Sequence, residues 1–305
     1  LLELTPGVQS NNNGVASAST GTSNLTLGFP EQRTLINGGA DGGTGSVNYY
    51  LDGGINMTAL RNTGNILPNP DAIQEFKVQT NSYNVEYGRF ASGIINVITR
   101  SGTNAFRGSA FAFTRDGDLN AKEWGSTQAR PPLERNQYGG TLGGPIAKDR
   151  TFFFASFSGL RQTTQTFLNN AIVPTALERS GDFSQSRTVP TDPATGQLFA
   201  CNGVVGVICP GRLDPVAMKI INDYIPTSNV SGGIWQGYVE SPFNTDEFLV
   251  KLDHQLNDAH RLSGSYFFTK GESVTQAGSG NLPWALYSFN WTQHYLNVSY
   301  TWAIG

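Results

Sequence analysis

Few side chains in this sequence could carry chemistry. Cys201 and Cys209 are the chain's two cysteines, set close together in CNGVVGVIC. An even count at short spacing within a loop points to a local disulfide, and a disulfide fits an extracytoplasmic compartment. Two unpaired thiols are the alternative, and no histidine stands near enough in sequence to suggest a metal site. His254, His260 and His294 are the three histidines. The first two flank a turn beside Asp253 and Asp258, but zinc needs three or four converging ligands. They read as interfacial or lumenal polar residues, and no metal is expected. No GxSxG, HExxH, GxGxxG or phosphate-loop pattern occurs, so there is no catalytic residue to name, no cofactor is implied and an enzyme is not expected. The glycine-rich stretch at residues 38–46 resembles a single calcium-repeat unit. One unrepeated copy reads better as a flexible loop.

Aromatic side chains offer binding rather than reaction. Trp124, Trp235, Trp284, Trp291 and Trp302 could be stacking platforms or membrane-interface residues. Trp302 with Tyr300 favours an aromatic girdle. Trp235 and Tyr238 fall in the longest predicted connection, where they either meet a ligand or pack the loop. Asn96, inside IINVI, is the most suggestive polar residue. A buried amide left without a hydrogen bond costs about 1–3 kcal/mol. Either it ties its strand to a neighbouring loop or it lines a polar interface; both roles are structural.

Composition narrows what must position these groups. Charged residues make up 14% of the chain, against about 25% in ordinary soluble domains. Glycine (36) and phenylalanine (18) are abundant, and the net charge is −3. No basic stripe is present, so nucleic acid is not expected as a partner. No run of about 18 apolar residues could form a membrane helix. Two classes remain: a secreted all-β protein, such as an adhesin or carbohydrate-binding module, and a transmembrane β-barrel. The chain starts Leu-Leu-Glu with no basic, apolar leader, and it reads as a piece of a longer protein.

Residues 1–104 predict a small, loop-rich α+β domain. LLELTPGVQ ends an element at Pro6-Gly7, and residues 10–28 read as loop. TLIN (34–37) and NYYLDGG (48–54) are strand candidates. Asn69-Pro70-Asp71-Ala72-Ile73 looks like a one-turn helix start, with an early proline and an acid in the first turn. IQEFKVQT (73–80) and IINVITR (94–100) are further strands, the latter apolar at both parities and so covered on two faces.

Residues 105–305 repeat one theme. Alternating segments of about ten residues lie at 106–115, 135–144, 150–162, 245–256, 259–270 and 291–303, the length of a tilted membrane strand. Leu262, Tyr266 and Phe268 share one face opposite Ser263, Ser265 and Thr269. Phe248, Val250, Leu252 and Leu256 oppose Lys251, Asp253 and Gln255. Leu296, Val298, Tyr300 and Trp302 oppose Asn297, Ser299 and Thr301. A soluble sandwich would show the same alternation with its faces reversed. Connection lengths favour the barrel: they run long (116–134), short (145–149), very long (163–244), short (257–258) and long (271–290). Outer-membrane barrels pair short periplasmic turns with longer external loops.

Several stretches resemble a known family. IQEFKVQTNSYNVEYGRFASGIINVITRSGT (73–103) resembles the C-terminal half of the plug domain of TonB-dependent outer-membrane receptors, and LLELTPGVQ and NYYLDGG resemble earlier plug motifs. NQYGGTLGGPIAKDRTFFFASFSGLRQ (136–162), VPTALERSGDFS (173–184), DPATGQLF (192–199) and DEFLVKLDHQLNDAHRLSGSYFF (246–268) are similar to its Oar-like subgroup. The resemblance implies a barrel of about 22 strands filled by a plug. It also implies a bacterial outer-membrane location, outer-membrane lipid around the wall and energy supplied by a periplasmic TonB-type protein. Tyr87, Gly88, Gly93, Asn96 and Thr99 match the plug motif as structural positions. Where the family carries acid, base and acid, this chain has Gln74, Glu75 and Lys77. The fold expected is thus an α+β plug (1–104) followed by antiparallel strands of a partial transmembrane β-barrel (105–305). The start of the plug and the remaining strands would lie outside the chain. An unidentified external ligand would meet the plug loop at Asn56, Arg61 and Asn62 and the long connection at Trp235 and Tyr238.

Overall fold

A computed structural model describes residues 5–10, 34–36, 47–59, 63–80, 87, 92–121, 124, 132–276 and 281–304. In chain order the short strands are β1 (Val8–Ser10), β2 (Thr34–Ile36), β3 (Val47–Leu51), β4 (Gly54–Ile55), β5 (Ile73–Gln79) and β6 (Gly93–Thr99). Then come β7 (Arg107–Asp116), β8 (Leu133–Ala147) and β9 (Thr151–Ile172), helix α1 (Ala176–Arg179), the small strands β10 (Ala200–Cys201) and β11 (Val204–Val205), and helix α2 (Pro215–Tyr224). The chain continues with β12 (Ile234–Asn257), β13 (His260–Gln276) and β14 (Leu286–Trp302).

IINVIT and the segment after it belong to different sheets. β6 lies in a four-stranded sheet of order β4-β3-β6-β5, parallel to β3 and antiparallel to β5. β7 is one edge of a six-stranded sheet of order β14-β13-β12-β9-β8-β7. Between them, Gly102 is wedged against the backbone of Gly144 and Phe153, where a Cβ would collide with both carbonyls. Asn104 exchanges two hydrogen bonds with Asp149 in the β8–β9 turn. The one-turn helix start expected at 69–73 is present. Among the described residues up to 104, the only helical element is a 3-10 turn, Pro70–Ala72. Asn69 caps it through Asp71 N–H, but the alternating IQEFKVQ that follows takes the chain into β5 before a helix can propagate.

The six long strands are inside-out relative to a soluble sheet. On β12 to β14 the exposed face carries Phe248, Leu252, Leu256, Leu262, Tyr266, Leu296, Val298, Tyr300 and Trp302. The covered face carries Ser156, Thr245, Lys251, Asp253, Ser265 and Thr269. A sheet in water would lose a large hydrophobic contribution in this arrangement. A sheet whose outer solvent is lipid would not. The strands are longer than the alternation predicts, up to 24 residues in β12. Their connections nonetheless alternate, long at 117–132, 173–233 and 277–285 and short at 148–150 and 258–259. Among the described residues no helix is long and apolar enough to cross a membrane.

The chain divides into two compact units, Leu1–Thr164 with Pro242–Val274 and Ser288–Gly305, and Gln165–Ser241 with Thr275–Tyr287. The core of the first joins Val47, Tyr49, Leu51, Ile95 and Val97 of the small sheet to Phe154, Leu249 and Phe267 of the long strands. The second unit carries its own fasteners. Thr175 and Glu178 form a reciprocal capping box on α1. Arg179 donates to the carbonyls of Ile221, Ile225 and Pro226 at the end of α2. Cys201 is bonded to Cys209, and Arg212 pairs with Asp192 at 2.6 Å.

Candidate functional site

The densest polar chemistry lies in the first unit, where the small sheet meets the inner face of the long strands. Its centre is the turn joining β3 to β4. Asp52 and Gly53 both have positive φ (48° and 84°), the conformation a two-residue Asp-Gly hairpin demands. This turn presents the Asp52 carboxylate to the end of β6, where it accepts from Thr99 N–H at 2.9 Å and from the Thr99 hydroxyl at 2.7 Å. Lys251 of β12 completes the group. Its ammonium donates to Asp52 Oδ1 (3.0 Å), Thr99 O (3.1 Å) and Thr99 Oγ1 (3.2 Å), so all three N–H bonds are used. The Lys251 and Asp52 side chains are only 7% and 6% exposed. Two further groups from β14 hold the same turn: Tyr295 Oη donates to Leu51 O at 2.7 Å and Asn297 Nδ2 to Asp52 O at 2.6 Å.

Beside this junction Asp253 pairs with Arg261 at 2.9 Å and is also hydrogen-bonded by Ser101 and Ser263. Toward the long connections comes an apolar rung of Leu249, its cross-strand partner Phe267, and Phe154. Past it a second polar patch begins. Asn69 donates its side-chain amide to Ser156 Oγ at 3.0 Å and its backbone N–H to Glu247. The inner wall is therefore polar, apolar, polar along the strand axis, and the small sheet touches each band.

The residues singled out from sequence fall in several places. Asn56 is fully buried. Its N–H donates to Tyr49 O, its side-chain amide to Ile66 O, and its carbonyl accepts from Asn65 N–H, so it braces its loop from within. Arg61, Asn62 and Gly88 lie outside the described residues, as does the glycine-rich stretch 38–46. Trp235 and Tyr238 are three apart on β12 and so point to opposite faces of the strand. Tyr238 is exposed with its ring 5.0 Å from that of Phe167, while Trp235 lies over Gly237. Tyr87 meets Tyr50 edge-on at 5.4 Å. Gly93 opens β6 opposite Val47, and Asn96 stands between Tyr50 and Lys77 with its amide oxygen buried and unpartnered among the described residues. The histidine rings have separate partners: His254 with Thr151, His260 with Tyr300, and His294 with Tyr266.

Of the central group only Thr99 was legible as a site residue. Asp52 and Lys251 were missed, although each carried a signal. A lysine on the polar parity of a strand whose other parity is apolar must find a counter-charge inside the wall. The Asp-Gly turn of NYYLDGG offered one.

The family model described as outer membrane beta barrel domain matches residues 98–305. The TonB-dependent transporter Oar of Myxococcus xanthus is 33% identical over 173 residues, 52% of this chain and 14% of that protein. The chain thus spans a small part of that relative's length. Two solved structures are similar at lower identity. The ferric-catecholate import receptor Fiu from E. coli K12, in its open form, gives a TM-score of 0.31 at 12% identity, covering 83% of this chain and 38% of that one. The siderophore receptor PirA from Acinetobacter baumannii gives 0.37 at 15%, covering 94% and 39%.

Proposed function

This chain belongs to the outer membrane beta barrel domain family, and from that premise we propose that it forms the plug and first wall strands of a TonB-dependent receptor of the outer membrane. In this reading residues 1–104 are the plug and 105–305 the opening strands and external loops of the barrel. The observation that carries it is the buried Asp52–Thr99–Lys251 junction. It fastens a small mixed sheet to the inner, polar face of strands whose outer face is apolar. A soluble adhesin has no use for an element moored to the polar side of an apolar-outside sheet. A gated pore does.

That geometry supports a gating mechanism. The long connections, with Trp235 and Tyr238 at the start of β12 and the plug loop bearing Arg61 and Asn62, capture a ligand outside. The plug closes the lumen at rest through the apolar core it shares with Phe154, Leu249 and Phe267 and through the hydrogen bonds and ion pair at Asp52. Force delivered by a TonB-type partner to the plug's beginning breaks these ties and opens a path. The polar part of this joint suits release and re-formation, because hydrogen bonds and an ion pair separate over short distances and reseat in one register.

Deletion of residues 5–104 from the intact protein, reconstituted in planar bilayers, tests the reading. The deleted form should show large, steady conductance where the intact form shows little. Equal conductance in both would remove the plug from the argument.

A further inference from the structure

The second polar patch of the wall differs from the first in one respect. Around Lys251 the ammonium's three donors are all used and the buried atoms left without a partner are oxygens, Asp253 Oδ2 and Ser265 Oγ, whereas around Glu247 the unmatched set includes nitrogen donors. Glu247 Oε2, Gln293 Nε2 and Trp291 Nε1 are each buried with no hydrogen-bond partner among the described residues. They lie close together on the inner face. Glu247 stands opposite Thr269 in the β12–β13 register, two residues along from Thr245 opposite Gly271. Trp291 of β14 covers Gly271, while His294 meets Tyr266 and Phe268, which sets Gln293 beside Thr269. Two long polar side chains thus flank one short threonine.

The indole cannot turn to find another acceptor. Trp291 is 8% exposed, packs on Phe243 at 5.5 Å, and lies so close over Gly271 that even a Cβ there would collide with its ring. The unmatched set is one carboxyl oxygen and two N–H donors. Water can bond a carboxyl oxygen in either protonation state and accept from both N–H groups, and buried water typically makes about three such bonds.

We propose that the inner wall at Glu247, Thr269, Gln293 and Trp291 is a built site for ordered water, forming a hydrated seam beside the Asn69 contact. The seam is a property of the wall, whatever ligand the protein carries. It sets two unlike ties side by side on the wall: the ion-paired junction at Lys251, and a hydrated one at Glu247 beside Asn69.

Radiolytic footprinting of the intact protein in detergent, in heavy-oxygen water, reads this directly, because side chains beside bound water are oxidised even when buried. Trp291 should take up the label, with fully exposed Trp124 as positive control. The label should be lost in Thr269→Leu, which fills the gap, or, where that variant does not fold, in Gln293→Met. An unlabelled Trp291 beside a labelled Trp124 would overturn the proposal. So would labelling that persists unchanged in the filled variant.

Discussion

At the scale of single residues the argument turns on Lys251. Its ammonium is almost wholly out of water and is held by one carboxylate and two oxygens of Thr99. Breaking a buried pair by removing one partner costs about 3–5 kcal/mol, chiefly because the other charge is stranded. Lys251→Met should therefore destabilise the first unit by roughly that amount, while Lys251→Met with Asp52→Asn should recover a large part of it. Denaturant unfolding of the intact protein in detergent, followed by protease cleavage within 47–99, is the readout. If the double variant were as unstable as the single one, the junction would not be a charge pair in any energetic sense. Gln74, Glu75 and Lys77, at the start of β5, are all exposed, while the tie to the wall comes from the turn at Asp52 instead. Sequence pattern could show that Lys251 faced inward, but not which turn would meet it, because Asp52 and Lys251 are 199 residues apart.

At the scale of elements, alternation is informative because a strand has a period of two. Once Leu262, Tyr266 and Phe268 share a face, the opposite face is fixed as well. Alternation alone leaves open which face meets which solvent, and exposure decides it. Leu252 is 49% and Leu296 72% exposed, while Ser265 is 4% exposed. Leu252→Arg should therefore cost about 2–4 kcal/mol if that position lies near the middle of the bilayer. Gln255→Arg, on the other parity near the β12–β13 turn, should cost little. Heat-modifiable migration of the folded barrel in gels checks both. Equal tolerance would mean that Leu252 faces water. The small sheet was partly legible for the same reason: IINVIT has Ile94, Ile95 and Val97 buried, while Ile98 is exposed, so the apolar run is covered on both faces only over its first part. The one-turn helix start at 69–73 was legible as well, because a capping asparagine, an early proline and an acid in the first turn precede a strongly alternating strand. Strand ends in the long connection were unreadable, since beyond about residue 162 polar and apolar residues cease to alternate although the chain stays extended to Ile172.

At the scale of the whole molecule the two units are stabilised by different chemistry, and pH should separate them. In the second unit the Ser186 hydroxyl, followed by the Thr175 N–H, holds the Glu178 carboxyl below its ordinary value. The Arg212 guanidinium, followed by the Ala194 N–H, does the same for Asp192. A depressed carboxylate contributes stability that is present above the unfolded value, about 4, and is lost as pH falls through the folded one. In the small sheet the sign is opposite. Burial pushes the Tyr49 phenol well above its ordinary range, partly offset by its hydrogen bond to Thr34. The unfolded chain ionises from about pH 10 upward while the folded phenol does not, so the Tyr49 contribution is intact below that value and drains away above it. Limited proteolysis of the intact protein in detergent should show both limbs. On acidification, with pepsin, cleavage should begin within 173–233 while 47–99 stays protected. On alkalinisation, with an alkaline serine protease, 47–99 should open first. Tyr49→Phe should shift the alkaline limb upward and leave the acid limb in place. An alkaline limb unmoved by Tyr49→Phe, or acid cleavage that starts in the small sheet, would break the assignment of each pH response to its unit.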